Sequence, residues 1–165
     1  LQRLRRVPEF KHATRIGIYL HAFGEIQTHK IIEYCFHQKK SVYLPMICNM
    51  NQRLVWVKVS RNQFQNKRFS HHPLGMQEPM ATRGQHVSHL DLLLMPLLAC
   101  DPYGTRIGMG GGFYDKTLAS ARYHRPFRLG LAHHFQLVPQ RLIREKWDQP
   151  LDGLLTPQQH LRFKR

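Results

Sequence analysis

Apolar residues fall along this chain in short runs with polar stretches between them, and two spacings alternate. Residues 15–20 (RIGIYL) are apolar almost without a break and predict a buried strand. Thr28 then suits the cap of a helix in which Ile31, Ile32, Cys35 and Phe36 share one face, with Lys39 and Lys40 at its carboxyl end. Residues 41–45 and 54–59 read as two further strands, set off by polar stretches at 49–53 and 61–68. Residues 91–96 (DLLLMP) are apolar at successive positions, the pattern of a central parallel strand covered on both faces. A helix is predicted over 113–123, and strands over 128–132 and 153–156. Strand and helix alternate, which predicts a three-layer α/β/α fold with a mostly parallel central sheet, one domain over residues 1–165.

Composition narrows this reading. A chain of 165 residues with 42% hydrophobic content can bury one core. Its longest apolar run, 92–100, is broken by Pro96 and falls short of the ~20 residues of a membrane-spanning helix. The first six residues, LQRLRR, are basic but lack the apolar segment of a secretory leader. Cys35, Cys48 and Cys100 have neither disulfide-framework nor metal-motif spacing, so they read as reduced thiols in a cytoplasmic protein. Against 25 Lys and Arg stand 10 Asp and Glu, a net charge of +15 that attracts polyanions. The basic residues are scattered and no RNA-binding motif accompanies them. A basic nucleic-acid-binding or ribosome-associated module is therefore the rival class.

The chemistry concentrates at residues 108–116 (GMGGGFYDK). Five of the eleven glycines fall in 104–112, in a loop after the central strand that leads into a helix. In open parallel sheets ligands bind beyond the carboxyl ends of the strands, and a phosphate can lie there against bare backbone N–H groups. The loop is neither a Walker loop, since no G-K-[ST] occurs, nor a dinucleotide fingerprint, whose third glycine would fall on Phe113. A tight connection needing positive φ is the plain alternative. Asp91, Asp101 and Asp115 flank the loop, and Asp148 and Asp152 lie near the last predicted strand, which ends at the same sheet edge if it is parallel. Mg²⁺ with a nucleotide needs one or two carboxylates, and Asp115 is the best placed; its plain alternative is a carboxylate complementing a helix start. His71-His72, His86-x-x-His89 and His133-His134 lack zinc-site spacing and read as structural.

These residues carry a resemblance. Asp91-Leu-Leu-Leu-Met-Pro96, then Asp101, then Gly104-x-Arg106-Ile-Gly108-x-Gly110-x-Gly112-Phe-Tyr-Asp115 resembles the signature of the 5-formyltetrahydrofolate cyclo-ligase family. Ile18-Tyr19-Leu20, Glu25-Ile26-x-Thr28, Glu78-Pro79, Phe135-Gln136, Trp147-Asp148-x-Pro150-Leu151 and Leu154-Leu155-Thr156 extend it over nearly the whole chain. The resemblance implies conversion of 5-formyltetrahydrofolate and MgATP to 5,10-methenyltetrahydrofolate, ADP and phosphate. By position, Arg106, Ile107, Gly108, Met109, Gly110, Gly111, Gly112, Phe113 and Tyr114 would line ATP. Met109, Gly110, Gly111, Gly112 and Phe113, with Leu20 and Glu25, would contact the folate. Asp115 and Asp148 would hold Mg²⁺, and Arg106 and Asp115 would carry the catalysis. A cytoplasmic monomer is expected, acting on folates that can be polyglutamylated.

The sequence departs from the family pattern in three places. The family begins with a helix whose Lys and Arg reach the ATP phosphates, and the sequence starts past it, which leaves an inactive member as a further alternative. Phe113 stands where tyrosine is usual, so stacking is kept and a hydroxyl is lost. Leu97 and Cys100 replace Gly and Phe, a change expected to act on packing.

Overall fold

The structure is a computed structural model that describes every residue except 22–23, 67–68, 72–76, 80–82, 109–110 and 123, and only the backbone of 69–71 and 77–79. In chain order the elements begin with a 3-10 turn (Leu4–Arg6), α1 (Pro8–His12), β1 (Arg15–Gly17), α2 (His29–His37), β2 (Ser41–Cys48), β3 (Arg53–Val59) and α3 (Arg61–Gln65). Next come β4 (Phe69–His71), β5 (Gln77–Pro79), β6 (Leu92–Met95), β7 (Ala99–Cys100) and β8 (Arg106–Ile107). The chain then forms α4 (Phe113–Ala119), β9 (Phe127–Leu131), β10 (Gly153–Leu155) and β11 (His160–Arg162).

Seven strands make the central sheet in the order β11-β10-β9-β6-β1-β2-β3. Every pair from β2 across to β10 is parallel, and β3 and β11 close the two edges antiparallel. β6 sits at the middle, and all four of its side chains are buried. Leu92 and Leu94 enter one apolar cluster with Phe10 of α1 and Ile32 and Cys35 of α2. Leu93 and Met95 enter a second, on the opposite face, with Leu118 of α4. An unbroken apolar run on a period-2 strand needs a cover on each side, and the three-layer α/β/α expectation holds.

Several predicted elements differ in length for identifiable reasons. In the parallel ladder between β1 and β2, Ile18 N–H donates to the Tyr43 carbonyl at 3.0 Å. The next rung would take an N–H from Pro45, which has none, so the chain leaves the sheet there and Tyr19 and Leu20 turn out over its carboxyl edge. α4 stops at Ala119, where the Ser120 hydroxyl donates to the Thr117 carbonyl at 2.6 Å; the predicted end, Tyr123, lies outside the described residues. Thr28 precedes α2 as expected, but its hydroxyl donates to the Tyr19 carbonyl at 2.8 Å and makes no cap bond. α1, α3, β11 and the two small hairpins β4–β5 and β7–β8 are additions to the predicted set.

Two of the candidate carboxylates prove to be staples at the amino edge of the sheet, away from the glycine loop. Asp91 accepts from Thr14 N–H at 3.0 Å, Thr14 Oγ1 at 2.9 Å and Arg15 N–H at 2.9 Å, with the Arg15 and Arg125 guanidinium groups at 3.4 and 3.2 Å. Asp152 accepts from Arg128 N–H at 2.8 Å and pairs with Arg165. Each joins the starts of two neighbouring strands, β1 to β6 and β9 to β10. Among the described residues no helix is long and apolar enough to cross a membrane.

Burial by itself would raise the Asp91 carboxyl, but the hydrogen bonds from Arg15 and Thr14 outweigh it and hold the group below its ordinary 3.8. A carboxyl lowered by folding stabilises the fold above its unfolded pKa and loses that contribution as pH falls through the folded value. Asp91→Asn, which retains one acceptor and turns a donor on the N–H cluster, is expected to cost about 2 kcal/mol at pH 7 in urea unfolding. The difference from wild type should shrink as the pH drops below the ordinary value of 3.8.

Candidate active site

The site is built on the β7–β8 hairpin that follows β6. Asp101, wholly buried at its turn, accepts from Tyr103 N–H, Thr105 N–H and Leu142 N–H, each at 2.9 Å. Burial pushes its carboxyl up, and these three backbone bonds outweigh that and keep it low. Both oxygens are engaged, so Asp101, a flanking candidate in the sequence, is a structural anchor. Gly104 closes the same turn at φ +88°, where a Cβ would come within 2.9 Å of the Phe163 ring.

The hairpin delivers Arg106. Its Nε donates to the Pro96 carbonyl at 2.8 Å, and its guanidinium lies 4.9 Å from the centre of the Tyr114 ring. Gly108 is bare because that guanidinium lies where its side chain would be: a Cβ would stand 2.9 Å from Nη1. Gly111 and Gly112 both have left-handed backbones, with φ of +76° and +67°. A Cβ on Gly111 would also meet the Phe113 ring at 2.7 Å, whereas among the described residues nothing comes closer to Gly112 than Lys116 Cε at 3.9 Å. Conformation and close packing thus account for Gly108, Gly111 and Gly112, and the described residues leave the space over Gly112 open. Met109 and Gly110 lie outside the described residues. Ile107, on β8, is exposed beside the loop.

The loop after β1 comes to meet this turn. Tyr19 Oη donates to the Ile26 carbonyl at 3.2 Å, and Thr28 N–H donates to His21 Nδ1 at 3.2 Å, so Ile26 and Thr28 come back against Tyr19 and His21. Leu20 is half-buried against the first apolar cluster. The Glu25 carboxylate is close enough to act on three groups. Burial first, and Glu25 after it, push the Tyr19 phenol far up. Tyr114 is raised by burial, opposed by Arg106 and reinforced by Glu25. Burial lowers Arg106, while Tyr114, Asp115 and Glu25 support its charge. Glu25, Arg106, Tyr114 and Asp115 are therefore one electrostatic group at the carboxyl edge, assembled from three separate segments.

Asp115, in the first turn of α4, accepts the Gln149 N–H on Oδ1 at 3.0 Å. Asp148 Oδ2 accepts the Glu145 N–H at 2.9 Å. The Gln149 bond ties the stretch that carries Asp148 to the first turn of α4, so the residue next to Asp148 touches Asp115. Asp148 lies ahead of β10 in the chain, in the stretch tied to α4, and not at that strand's carboxyl end. Each carboxylate keeps a second oxygen that makes no hydrogen bond among the described residues, and hard oxygen donors of this kind fit Mg²⁺.

The remaining candidates are placed elsewhere. His86 contacts Ser120, and His89 lies between Tyr43 and Arg15. His133 stacks on Phe135 at 5.3 Å, while Gln136 Nε2 donates to the Leu97 carbonyl at 2.7 Å. His72 lies outside the described residues, and His71 is described in its backbone alone. Among the described residues no three His, Cys, Asp or Glu side chains group as a metal site. All three cysteines are free, and burial pushes the Cys35 and Cys100 thiols up to about 12. The sequence reading passed over Trp56, whose buried ring lies 6.4 Å from Tyr114, and Arg128, a lone charge in an apolar strand.

The sequence profile of the 5-formyltetrahydrofolate cyclo-ligase family matches residues 1–157. The chain belongs to the 5-formyltetrahydrofolate cyclo-ligase family. It is 34% identical over 159 residues to the 5-formyltetrahydrofolate cyclo-ligase of Escherichia coli K12, covering 94% of this chain and 84% of that one. The Haemophilus influenzae enzyme is 35% identical over 158 residues, covering 90% and 78%. The solved Aquifex aeolicus 5,10-methenyltetrahydrofolate synthetase superposes with a TM-score of 0.78 at 26% identity, over 99% of this chain and 79% of that one. Of the departures from the cyclo-ligase pattern, Leu97 and Cys100 are buried in the second apolar cluster. Phe113 lies over Gly111.

The two left-handed glycines make different demands on a side chain. Gly112→Ala is expected to lose about 1 kcal/mol of stability, the strain of a left-handed Cβ in otherwise open space. Gly111→Ala adds displacement of the Phe113 ring and should lose more. Parallel urea titrations of the two variants check the order.

Proposed function

We propose that the chain converts 5-formyltetrahydrofolate, with ATP and Mg²⁺, to 5,10-methenyltetrahydrofolate, ADP and phosphate. The observation that carries this reading is the Arg106 guanidinium held over the Tyr114 ring, its charge supported by Glu25 and Asp115, next to the left-handed Gly111 and Gly112. A formyl oxygen on nitrogen is a poor leaving group until it is phosphorylated. In the proposed sequence that oxygen attacks the γ-phosphorus and ADP leaves; N10 then closes on the formyl carbon and gives up its proton to solvent, and phosphate leaves with the former formyl oxygen. Such chemistry asks for positioning and charge neutralisation more than for acids and bases.

The residues divide that work. The space over Gly112 admits the phosphates, with the loop from Gly108 through Met109, Gly110 and Gly111 around them, and Ile107, Phe113 and Tyr114 flank the nucleotide. Arg106 is anchored through Nε on Pro96, so its Nη groups present charge to the phosphates without reorganising. Glu25 accepts a pair of N–H groups from the pterin, and Leu20 lies against the ring. Asp115 and Asp148 hold Mg²⁺, which neutralises phosphate charge when bound. Gln149 N–H fixes the orientation of Asp115.

Purified protein should release ADP only when 5-formyltetrahydrofolate is present, in step with the long-wavelength absorbance of the methenyl product. ATP turnover indifferent to the folate, or tight salt-sensitive binding to nucleic acid without turnover, would favour the basic-module reading. Asp115→Asn and Asp148→Asn should each lower the rate at limiting Mg²⁺, and excess Mg²⁺ should restore part of it, because the phosphates still hold the ion's other face. With a net charge of +15, the protein should also bind polyglutamylated substrate more tightly than the monoglutamate at low salt, and the gap should close as salt rises.

A further inference from the structure

Arg128 has no part in the chemistry just described, yet it lies inside β9 at 4% exposure between apolar neighbours. Its register partner on β6 is Leu93, so its side chain projects to the face that α4 covers. Nη1 donates to the Pro150 carbonyl at 3.1 Å, and Nε, fully buried, has no partner among the described residues. Burial and then Arg165 draw the guanidinium down to about 10, so it stays charged at neutral pH, supported by Asp152 and Asp115. A buried, incompletely satisfied cation costs more than an apolar side chain of the same volume, so packing alone does not account for it.

The contact to Pro150 does account for it. Residues 142–150 contain no helix or strand, and Pro150 has no N–H of its own. In that irregular stretch, Asp115 takes the Gln149 N–H and Arg128 donates to the next residue's carbonyl. Two side chains from two elements thus grip consecutive residues, and Asp148 is the residue immediately before them. We propose that Arg128 is a positioning residue for the carboxylate pair: by holding the Pro150 carbonyl it fixes Asp148 beside Asp115. The inference rests on the reading of Asp115 and Asp148 as the Mg²⁺ ligands.

Charge and position predict opposite signs. Removing a cation that acts on the Asp115 carboxylate would by charge alone tighten Mg²⁺ binding; losing the grip on Pro150 would loosen it. The test takes Arg128→Met, which is apolar and of similar length, and Arg128→Lys, which keeps the charge and one reaching donor. Two readouts are followed: the Mg²⁺ concentration giving half-maximal activity, and the Mg²⁺ concentration at which ATP raises the melting temperature of the protein without folate. Both should rise about tenfold in Arg128→Met, a shift on the scale of one lost anchoring contact, with the KM values for ATP and folate at saturating Mg²⁺ near wild type. Arg128→Lys should fall between the two. A Mg²⁺ requirement that is unchanged or lower in Arg128→Met, or unchanged in Arg128→Lys should the Met variant fail to fold, overturns the positioning role. If Asp115→Asn and Asp148→Asn also leave the Mg²⁺ requirement unchanged, the carboxylate site itself falls and this role falls with it.

Discussion

The buried carboxylate of Asp101 holds together the part of the molecule on which the site depends. It takes two N–H groups from its own turn and one, from Leu142, across a separation of 41 residues. An ionised carboxylate out of water is tolerated only when its lone pairs are met, so the turn and the later segment are stable together and not apart. Arg144 strengthens the join through Thr105 Oγ1 at 2.8 Å and the Tyr103 carbonyl at 3.1 Å. Leu151 N–H completes it on the Gly104 carbonyl at 2.9 Å. Through these bonds the hairpin that launches the glycine loop and the stretch that carries Asp148 form one unit.

The same chemistry recurs at the other edge of the sheet, where Asp91 and Asp152 each join two strand starts. Three aspartates therefore fix the framework, and the charges assigned to function lie apart from them. That division leaves the carboxyl edge to a different set of groups, Arg106, the Tyr114 phenol, Asp115 and Glu25. The framework does not rest on those groups.

Much of this arrangement was legible in the sequence, for particular reasons. The unbroken run 91–96 announced a strand covered on both faces, and the glycine density at 104–112 announced a loop where side chains are excluded. The motif spacing then brought the family. The carboxylates were harder, because sequence proximity to the loop says nothing about which edge a residue faces: Asp91 and Asp101 flank the glycines in the chain but serve as a strand staple and a turn anchor. Arg128 escaped because a single charge in an apolar strand looks like a strand end until the register with Leu93 is known. The early end of the β1 ladder was written in Pro45, but only pairing with a parallel neighbour gives that proline its meaning.

The strand order also bears on how the chain matures during synthesis. β1 is made first among the strands, yet it lies between β2 and β6, and the outermost strand beyond β10 is the last. Glu9 of α1 meets Arg162 of β11 through a two-pronged pair at 2.8 and 2.9 Å, bridging 153 residues. Arg3 reaches the Pro157 carbonyl from the same end. Contacts of such long range exact their loop-closure entropy before they return anything. A nascent chain can therefore shelter α1 only against a half-built sheet, and the final latch closes after residue 162 has cleared the ribosome.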